Sequence, residues 1–145
     1  MPALVPELSV VNFDASLRFY RDLLGWQVVY DRPEEGFAYL RIGEADLMID
    51  ALATGRNFNE TLTLANRPFG RGMNLEITLP DIQPLLDALR AAGWPLILPP
   101  EEKWYRAGNH QTGQHQFIVA DPDGYFLRFC QHIGIRPIPT QTDAL

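Results

Sequence analysis

The chain has 145 residues, of which 46% are hydrophobic, and a formal net charge of −6. This length and apolar content suit one compact domain and argue against wholesale disorder, and an acidic chain lacks the basic face that a general nucleic-acid binder needs. No apolar run approaches the ~20 residues that span a bilayer. The opening residues carry no signal-peptide pattern, and the single cysteine, Cys130, cannot form an intrachain disulfide. We therefore expect a cytoplasmic protein that contacts neither nucleic acid nor membrane.

The first half of the chain predicts one strand, one helix and three further strands. Polarity alternates up to Val11, and Ala15, Phe19 and Leu23 then recur at the spacing of one helix face. Gly25 follows at a position where glycine commonly ends a helix. The next three strands are predicted in WQVVYDR, FAYLRIG and ADLMIDAL, separated by the turn signals RPEEG and GEA. The order is βαβββ.

The second half repeats this order. The segment VVNFDASLRFYRDLLGW aligns with TLPDIQPLLDALRAAGW, so that Trp94 falls in the place of Trp26, and strands are predicted in WPLILPP, HQFIVAD and YFLRFCQ. Two βαβββ modules predict an α+β fold in which a curled mixed sheet surrounds a trough. Because each module has its own tryptophan at the equivalent position, we assign both to the structure and not to a site.

The pattern divides the chain into two modules and two irregular segments. The modules are predicted over residues 1–53 and 73–133, with an inter-module loop over 54–72 and a flexible tail over 134–145. A second long loop is predicted inside the second module, over residues 99–114. Loops of this length are uncommon unless they are functional or disordered.

Alternation in the predicted strands gathers polar side chains on the sheet face turned away from the helices. These residues are Glu7, Ser9, Asp50, Asn74, Glu76, Thr78 and Arg128. Polar groups that converge in a trough form a default ligand site. We expect Glu7 and Glu76 to pair with Arg128 across it.

Two motifs resemble the vicinal oxygen chelate (VOC) superfamily, which includes glyoxalase I, extradiol dioxygenases, fosfomycin resistance enzymes and bleomycin resistance proteins. They are VVNFDASLRFYRDLLGW near the start and VADPDGYFLRF near the end. Together with the repeat, the resemblance covers nearly the whole chain and implies one VOC domain of the glyoxalase/bleomycin resistance fold. It implies no particular reaction, because one fold hosts many chemistries.

Enzymes of this superfamily usually bind a divalent metal through four strand positions. The resemblance places these positions on Val5, Met48, Asn74 and Arg128. Valine cannot ligate, methionine and asparagine are poor ligands for hard divalent ions, and arginine brings a positive charge. The resemblance therefore implies no metal, no other cofactor and no catalytic residue at these positions.

Without a metal, the sequence is most similar to the bleomycin resistance branch, whose members are dimers that bind the drug between subunits without altering it. The resemblance implies a homodimer that confers antibiotic resistance by sequestering a glycopeptide-type or similar planar cationic ligand in its groove. The candidate ligand-binding residues are Glu7, Tyr39, Met48, Asp50, Phe69, Asn74, Glu76, Trp104, Tyr105, Phe126 and Arg128.

Three alternatives remain at this point. The protein is a metal-dependent glyoxalase-like or dioxygenase-like enzyme whose site has moved to Glu7, Asp50 and Glu76. Or it is a metal-free lyase or isomerase that uses Glu7 or Glu76 as a general base. Or its ligand is an unrelated metabolite.

Overall fold

The computed structural model describes residues 2–55, 58 and 61–139. The first module consists of β1 (Glu7–Val10), α1 (Phe13–Leu17) with a π-helical continuation (Arg18–Leu23), β2 (Gln27–Arg32), β3 (Phe37–Ile42) and β4 (Ala45–Ala51). The second module consists of β5 (Asn74–Thr78), α2 (Gln83–Ala91), β6 (Leu96–Ala107), β7 (His110–Ala120) and β8 (Phe126–Pro137). The predicted α+β fold of two βαβββ modules is confirmed.

Each module forms its own four-stranded mixed sheet, and the two sheets have equivalent strand orders, β1-β4-β3-β2 and β5-β8-β7-β6. The first strand of each module pairs in parallel with the last, and the other pairs are antiparallel. Gly25 and Gly93 have φ angles of +81° and +65°, a left-handed conformation that glycine adopts without a Cβ penalty. The internal repeat read from the sequence is therefore a repeat of structure.

The helices pack on the apolar face of the sheets and form one core that draws on both modules. Tyr20 meets Trp26 edge to face, with ring centroids 5.6 Å apart, and Phe19 meets Trp94 at 4.9 Å. Trp26 is buried, and the indole of Trp94 donates to the carbonyl of Ala120 at 2.9 Å. Trp26 therefore packs within the first module, whereas Trp94 also contacts the helix of the other module.

The loop predicted over residues 99–114 is wrong, because this segment forms a long β-hairpin. Strands β6 and β7 pair up to Ala107 and His110, joined by the two-residue turn Gly108-Asn109, in which Gly108 has a φ of +69°. Within residues 99–114, β6 and β7 do not alternate clearly between polar and apolar residues, because both faces of this hairpin are largely polar. The backbone ladder with β7, which is itself flanked by β8, orders the segment.

The predicted tail also begins too early. Strand β8 continues to Pro137 and pairs with β7, so residues 134–137 extend the sheet. Residues 140–145, the end of that predicted tail, lie outside the described residues. Between β4 and β5, the described part of the inter-module loop contains one short helical turn, Leu64–Asn66. No helix among the described residues is long and apolar enough to cross a membrane.

The turn between β7 and β8 joins the two modules through the buried carboxylate of Asp121. Its Oδ1 accepts the backbone N–H groups of Asp123 and Tyr125 at 2.9 Å each, and its Oδ2 accepts the hydroxyl of Tyr20 at 2.7 Å. The hydroxyl of Tyr125 in turn donates to the carbonyl of Ser9 at 3.0 Å. Helix and strand of the first module thus bond directly to the turn of the second.

Asp123 makes a second set of hydrogen bonds between the modules, next to that of Asp121. Its buried carboxylate accepts Arg67 of the inter-module loop at 2.7 Å and the backbone N–H of Val11 at 3.3 Å. The loop reaches the same place through Phe69, whose N–H donates to the carbonyl of Asp123. The Asp-Pro-Asp-Gly turn therefore gathers both modules and the loop that links them.

Tyr20→Phe tests the hydrogen bond between Tyr20 and Asp121, because it removes one donor from the buried carboxylate. We expect the free energy of unfolding to fall by about 1–3 kcal/mol, measured by urea denaturation. Tyr30→Phe is the matched control, since Tyr30 is 43% exposed and packs on Tyr39 through its ring. A loss within about 0.5 kcal/mol of the control would contradict the assignment.

The penalty of Tyr20→Phe should also depend on pH. Burial raises the pKa of Asp121 to about 6, so the carboxyl is ionised above that value and protonated below it. A phenol bonds more strongly to a carboxylate than to a neutral acid. We therefore expect a larger penalty at pH 8 than at pH 5, and equal penalties at both would rule out Asp121 as the acceptor that matters.

Candidate functional site

The polar face of the first sheet brings together residues from four strands. Cross-strand pairing forms one row of Glu7, Met48, Tyr39 and Tyr30, and a second row of Ser9, Asp50, Phe37 and Arg32. We call the surface formed by Glu7, Tyr30, Arg32, Phe37, Tyr39 and Asp50 the acidic aromatic face. Three predicted ligand-binding residues, Glu7, Tyr39 and Asp50, belong to it, and Met48 lies between Glu7 and Tyr39.

Three aromatic rings lie against one another on this face. Tyr30 stacks on Tyr39 with centroids 5.1 Å apart and an interplanar angle of 16°, and it lies 5.9 Å from the ring of Phe37. Phe37 and Tyr39 are buried, whereas Tyr30 is 43% exposed. Tyr30 is therefore the ring that a planar molecule from solution would meet first.

Charged groups lie beside the ring of Phe37. Glu7, Arg32, Glu35 and Asp50 line a cleft of about 200 Å³ together with Phe37 and Phe58. Desolvation and then the neighbouring Asp50 carboxylate raise the pKa of Glu7 above that of an ordinary glutamate. The charge of Arg32 acts on the pKa of Glu7 in the opposite direction, so the cleft holds neighbouring carboxylates together with one cation of the chain.

The ring of Tyr39 is held in place by Asp46, a buried residue that the sequence analysis missed. The Tyr39 hydroxyl donates to Asp46 at 2.5 Å, and the guanidinium of Arg41 makes two bonds to the same carboxylate at 2.7 and 2.9 Å. The Arg41 hydrogen bonds are the largest of the effects that hold the pKa of Asp46 below its usual value. Asp46 lies two residues before Met48 in β4, so strand alternation could have placed its side chain on the same face.

On the polar face of the second sheet, the amide of Gln116 is at the centre of a hydrogen-bond network. Its Oε1 accepts Gln114 at 2.7 Å and Arg128 at 3.4 Å, and its Nε2 donates to Glu101 at 2.8 Å and to the hydroxyl of Tyr105 at 2.7 Å. Gln116 is only 2% exposed. Sequence reasoning missed its role because Glu101, Tyr105 and Gln114 were assigned to a loop.

The predicted pairing of Arg128 is correct for one glutamate and wrong for the other. Arg128 donates to Asn74 at 3.2 Å and lies 3.8 Å from Glu76, a long contact with both side chains partly exposed. No ion pair joins Arg128 to Glu7 among the described residues; the charges that act on Glu7 are Asp50 and Arg32. The two carboxylates lie on different sheets, which parity alone did not reveal.

Cys130 is buried beside this network. Burial, followed by the charge of Glu76, raises the pKa of its thiol to about 12, which outweighs the opposite effect of Arg128. The thiol is therefore neutral at physiological pH and is a weak nucleophile.

The remaining predicted ligand residues are spread over three places. Phe69 is buried against Tyr125, with ring centroids 5.9 Å apart, and it borders a narrow cleft of about 110 Å³ that Phe126 also lines. Tyr105 joins the Gln116 network. Trp104, one residue earlier in β6, packs instead over Gly113 and beneath the guanidinium of Arg136, whose Cζ is 4.1 Å from the ring centroid.

The residues at the expected metal positions have other surroundings and partners in the structure. Val5 precedes β1, Met48 pairs with Glu7, and the Arg128 guanidinium is bonded to Asn74. The alternative set Glu7, Asp50 and Glu76 is divided between the two sheets. Within residues 2–55, 58 and 61–139, no group of three or more His, Cys, Asp or Glu side chains could hold a metal ion.

The chain is similar in sequence to known proteins. A sequence model of the Glyoxalase/Bleomycin resistance protein/Dioxygenase superfamily matches residues 4–129. The chain is 36% identical to a superfamily member of that description from Vibrio splendidus 12B01, with 89% of this chain and 97% of that chain covered and a TM-score of 0.40. None of the curated proteins searched matches the chain significantly.

Two further solved structures are similar in fold. TioX from Micromonospora sp. ML1 is 20% identical with a TM-score of 0.66, and 92% of this chain and 100% of that chain are covered. Lactoylglutathione lyase from Agrobacterium tumefaciens is 19% identical with a TM-score of 0.53, and the coverage is 90% and 94%. The matched residues 4–129 span both modules and both sheets. The chain belongs to the glyoxalase/bleomycin resistance protein/dioxygenase superfamily.

Proposed function

We propose that the protein is a metal-independent binding protein that sequesters a small, planar cationic molecule on the acidic aromatic face. The observation that carries this proposal is the exposed ring of Tyr30, stacked on Tyr39, on the same sheet face as a cleft that Phe37 lines with the carboxylates of Glu7 and Asp50. A cation over an aromatic ring is attracted by the ring's quadrupole, and nearby carboxylates add Coulombic attraction. A planar cation uses both interactions at once.

The rigidity of the face supports binding. Tyr39 is buried and bonded to Asp46, which Arg41 holds in turn, and Phe37 is also buried. Side chains that are already fixed lose little conformational entropy when a ligand binds. The protein would then bind its ligand with little rearrangement of these rings.

We further propose that the ligand lies in a groove between two subunits of a homodimer. The cleft of about 200 Å³ is smaller than the roughly 300–1,000 Å³ of typical ligand pockets, so a second wall from a partner would complete it. Strand β2, which supplies Tyr30 and Arg32, is an edge strand with five of its six residues exposed. Unpaired edges of this kind are surfaces that associate.

The cysteine of the chain supplies no nucleophile to this face. The only cysteine, Cys130, has a pKa of about 12 and lies on the other sheet. It is unpaired, which fits the cytoplasmic location that we propose.

A glycopeptide of the bleomycin type has planar aromatic groups and positive charge, and sequestering such an antibiotic would confer resistance.

The first test joins metal analysis to calorimetry on protein purified without a metal-affinity column. We expect no stoichiometric metal, and saturable binding of metal-free bleomycin at about one molecule per subunit, unchanged by Mn²⁺, Ni²⁺ or Zn²⁺. Light scattering on the same sample should give the mass of a dimer. Stoichiometric metal would instead favour a superfamily enzyme with relocated carboxylate ligands, and the absence of binding would exclude this antibiotic as the ligand.

Glu7→Gln tests the charge on the face. We expect cation affinity to fall about fivefold to tenfold, roughly 1 kcal/mol, as for one partly screened charge. Glu102→Gln is the control, since it removes the same charge from an exposed position on β6. Equal affinities in the two variants would contradict a role for Glu7.

The wild-type affinity should also fall as the pH is lowered. Because desolvation and Asp50 raise the pKa of Glu7, this loss should begin at a higher pH than an ordinary glutamate would give. Calorimetric titrations between pH 4 and pH 8 measure it. The affinity of Glu7→Gln should depend less on pH than that of the wild type. If both proteins show the same pH dependence, another group is responsible for it.

A further inference from the structure

We propose that the guanidinium of Arg32 occupies the cation position of the acidic aromatic face, and that a planar guanidinium or amidinium ligand binds there by displacing it. The proposal rests on the function proposed above and adds the class of ligand and an internal competitor. This face already holds a planar cation, the guanidinium of Arg32.

The position of Arg32 is that of a bound planar cation. Its Cζ lies 4.1 Å from the centroid of the Phe37 ring, well within the range of a cation–π contact, and its Nε donates to Glu35 at 2.6 Å. Glu7 and Asp50 line the same cleft. The guanidinium therefore has an aromatic face on one side, a carboxylate at its edge and further negative charge nearby.

These contacts are weak enough to be exchanged. Arg32 is the last residue of the edge strand β2, and the side chains of Arg32 and Glu35 are 45% and 54% exposed. Exposed ion pairs of this kind contribute little to stability because water and salt compete for both partners. The ion pair of Arg41 on the neighbouring strand is different, because Arg41 makes two hydrogen bonds to the fully buried carboxylate of Asp46.

The same geometry selects the chemistry of the ligand. A guanidinium or amidinium is flat, so it can lie on the ring of Phe37 while its N–H groups reach a carboxylate edge, as Arg32 does. A compact ammonium is a strongly hydrated point charge and cannot stack in this way. Stacking with Tyr30 would extend the contact for a ligand that also carries an aromatic ring.

The test compares benzamidinium binding to the wild type, Arg32→Gln and Arg21→Gln by calorimetry. Arg21 is a closely matched control, because it forms an ion pair with Asp22 at 2.8 Å and the two side chains are 47% and 53% exposed. We expect Arg32→Gln to bind benzamidinium about tenfold more tightly than the wild type does, because the substitution removes one weak competing contact and one charge that repels the ligand. Arg21→Gln should match the wild type, and butylammonium should bind all three proteins more weakly than benzamidinium.

A second measurement follows Arg32 directly. Its side-chain Nε–H resonance can be assigned in the wild type by its absence from the Arg32→Gln spectrum. Saturation with benzamidinium should move this resonance toward the position of a solvated guanidinium, because the proton leaves Glu35. Circular dichroism and thermal melting establish that each variant is folded before it is titrated.

Each other outcome overturns the proposal in a distinct way. Equal binding to the wild type and Arg32→Gln would show that Arg32 does not compete, and the proposed function would stand. Weaker binding to Arg32→Gln would make Arg32 a ligand contact. If folded Arg32→Gln binds no benzamidinium, the ligand class is wrong, and the bleomycin titration then decides separately whether the proposed function survives.

Discussion

The buried carboxylates of Asp121 and Asp123 are the constraint on which the arrangement of this chain depends. Asp121 bonds to Tyr20 of the first module, and Asp123 bonds to Arg67 of the linking loop and to the backbone of Val11. A buried carboxylate deprived of its donors is strongly destabilising. The modules must therefore stay in one relation to each other, with the aromatic residues of the helix ends packed between them.

Because the helices occupy the apolar faces of both sheets, polar side chains collect on the opposite faces, and these two faces differ in chemistry. The first presents stacked rings, carboxylates and the exposed guanidinium of Arg32. The second presents amides around Gln116, with Arg128 at their margin. The two modules share one topology but present different polar faces, one with aromatic rings and carboxylates and one whose side chains hydrogen-bond to one another.

Several parts of the site could be predicted from sequence because they depend only on strand parity. Alternation placed Glu7, Asp50 and Met48 on one face, and the register of β1, β3 and β4 brings them together with Tyr39. Parity does not say which residue lies directly across a strand pair. The bonds of Asp46 to Arg41 and Tyr39 therefore escaped prediction, as did the contact of Arg32 with Phe37.

The sequence alone determined the two βαβββ modules, because glycine positions, helical spacing and alternation are local properties of the chain. Residue type also makes poor ligands of the side chains at the positions where the resemblance to the superfamily places metal ligands. Only the tertiary structure decided that residues 99–107 and 110–114 are strands, that Glu7 is near Arg32 and not Arg128, and that Trp104 lies away from Tyr105. These features arise from backbone pairing and from contacts between distant residues, which no local pattern encodes.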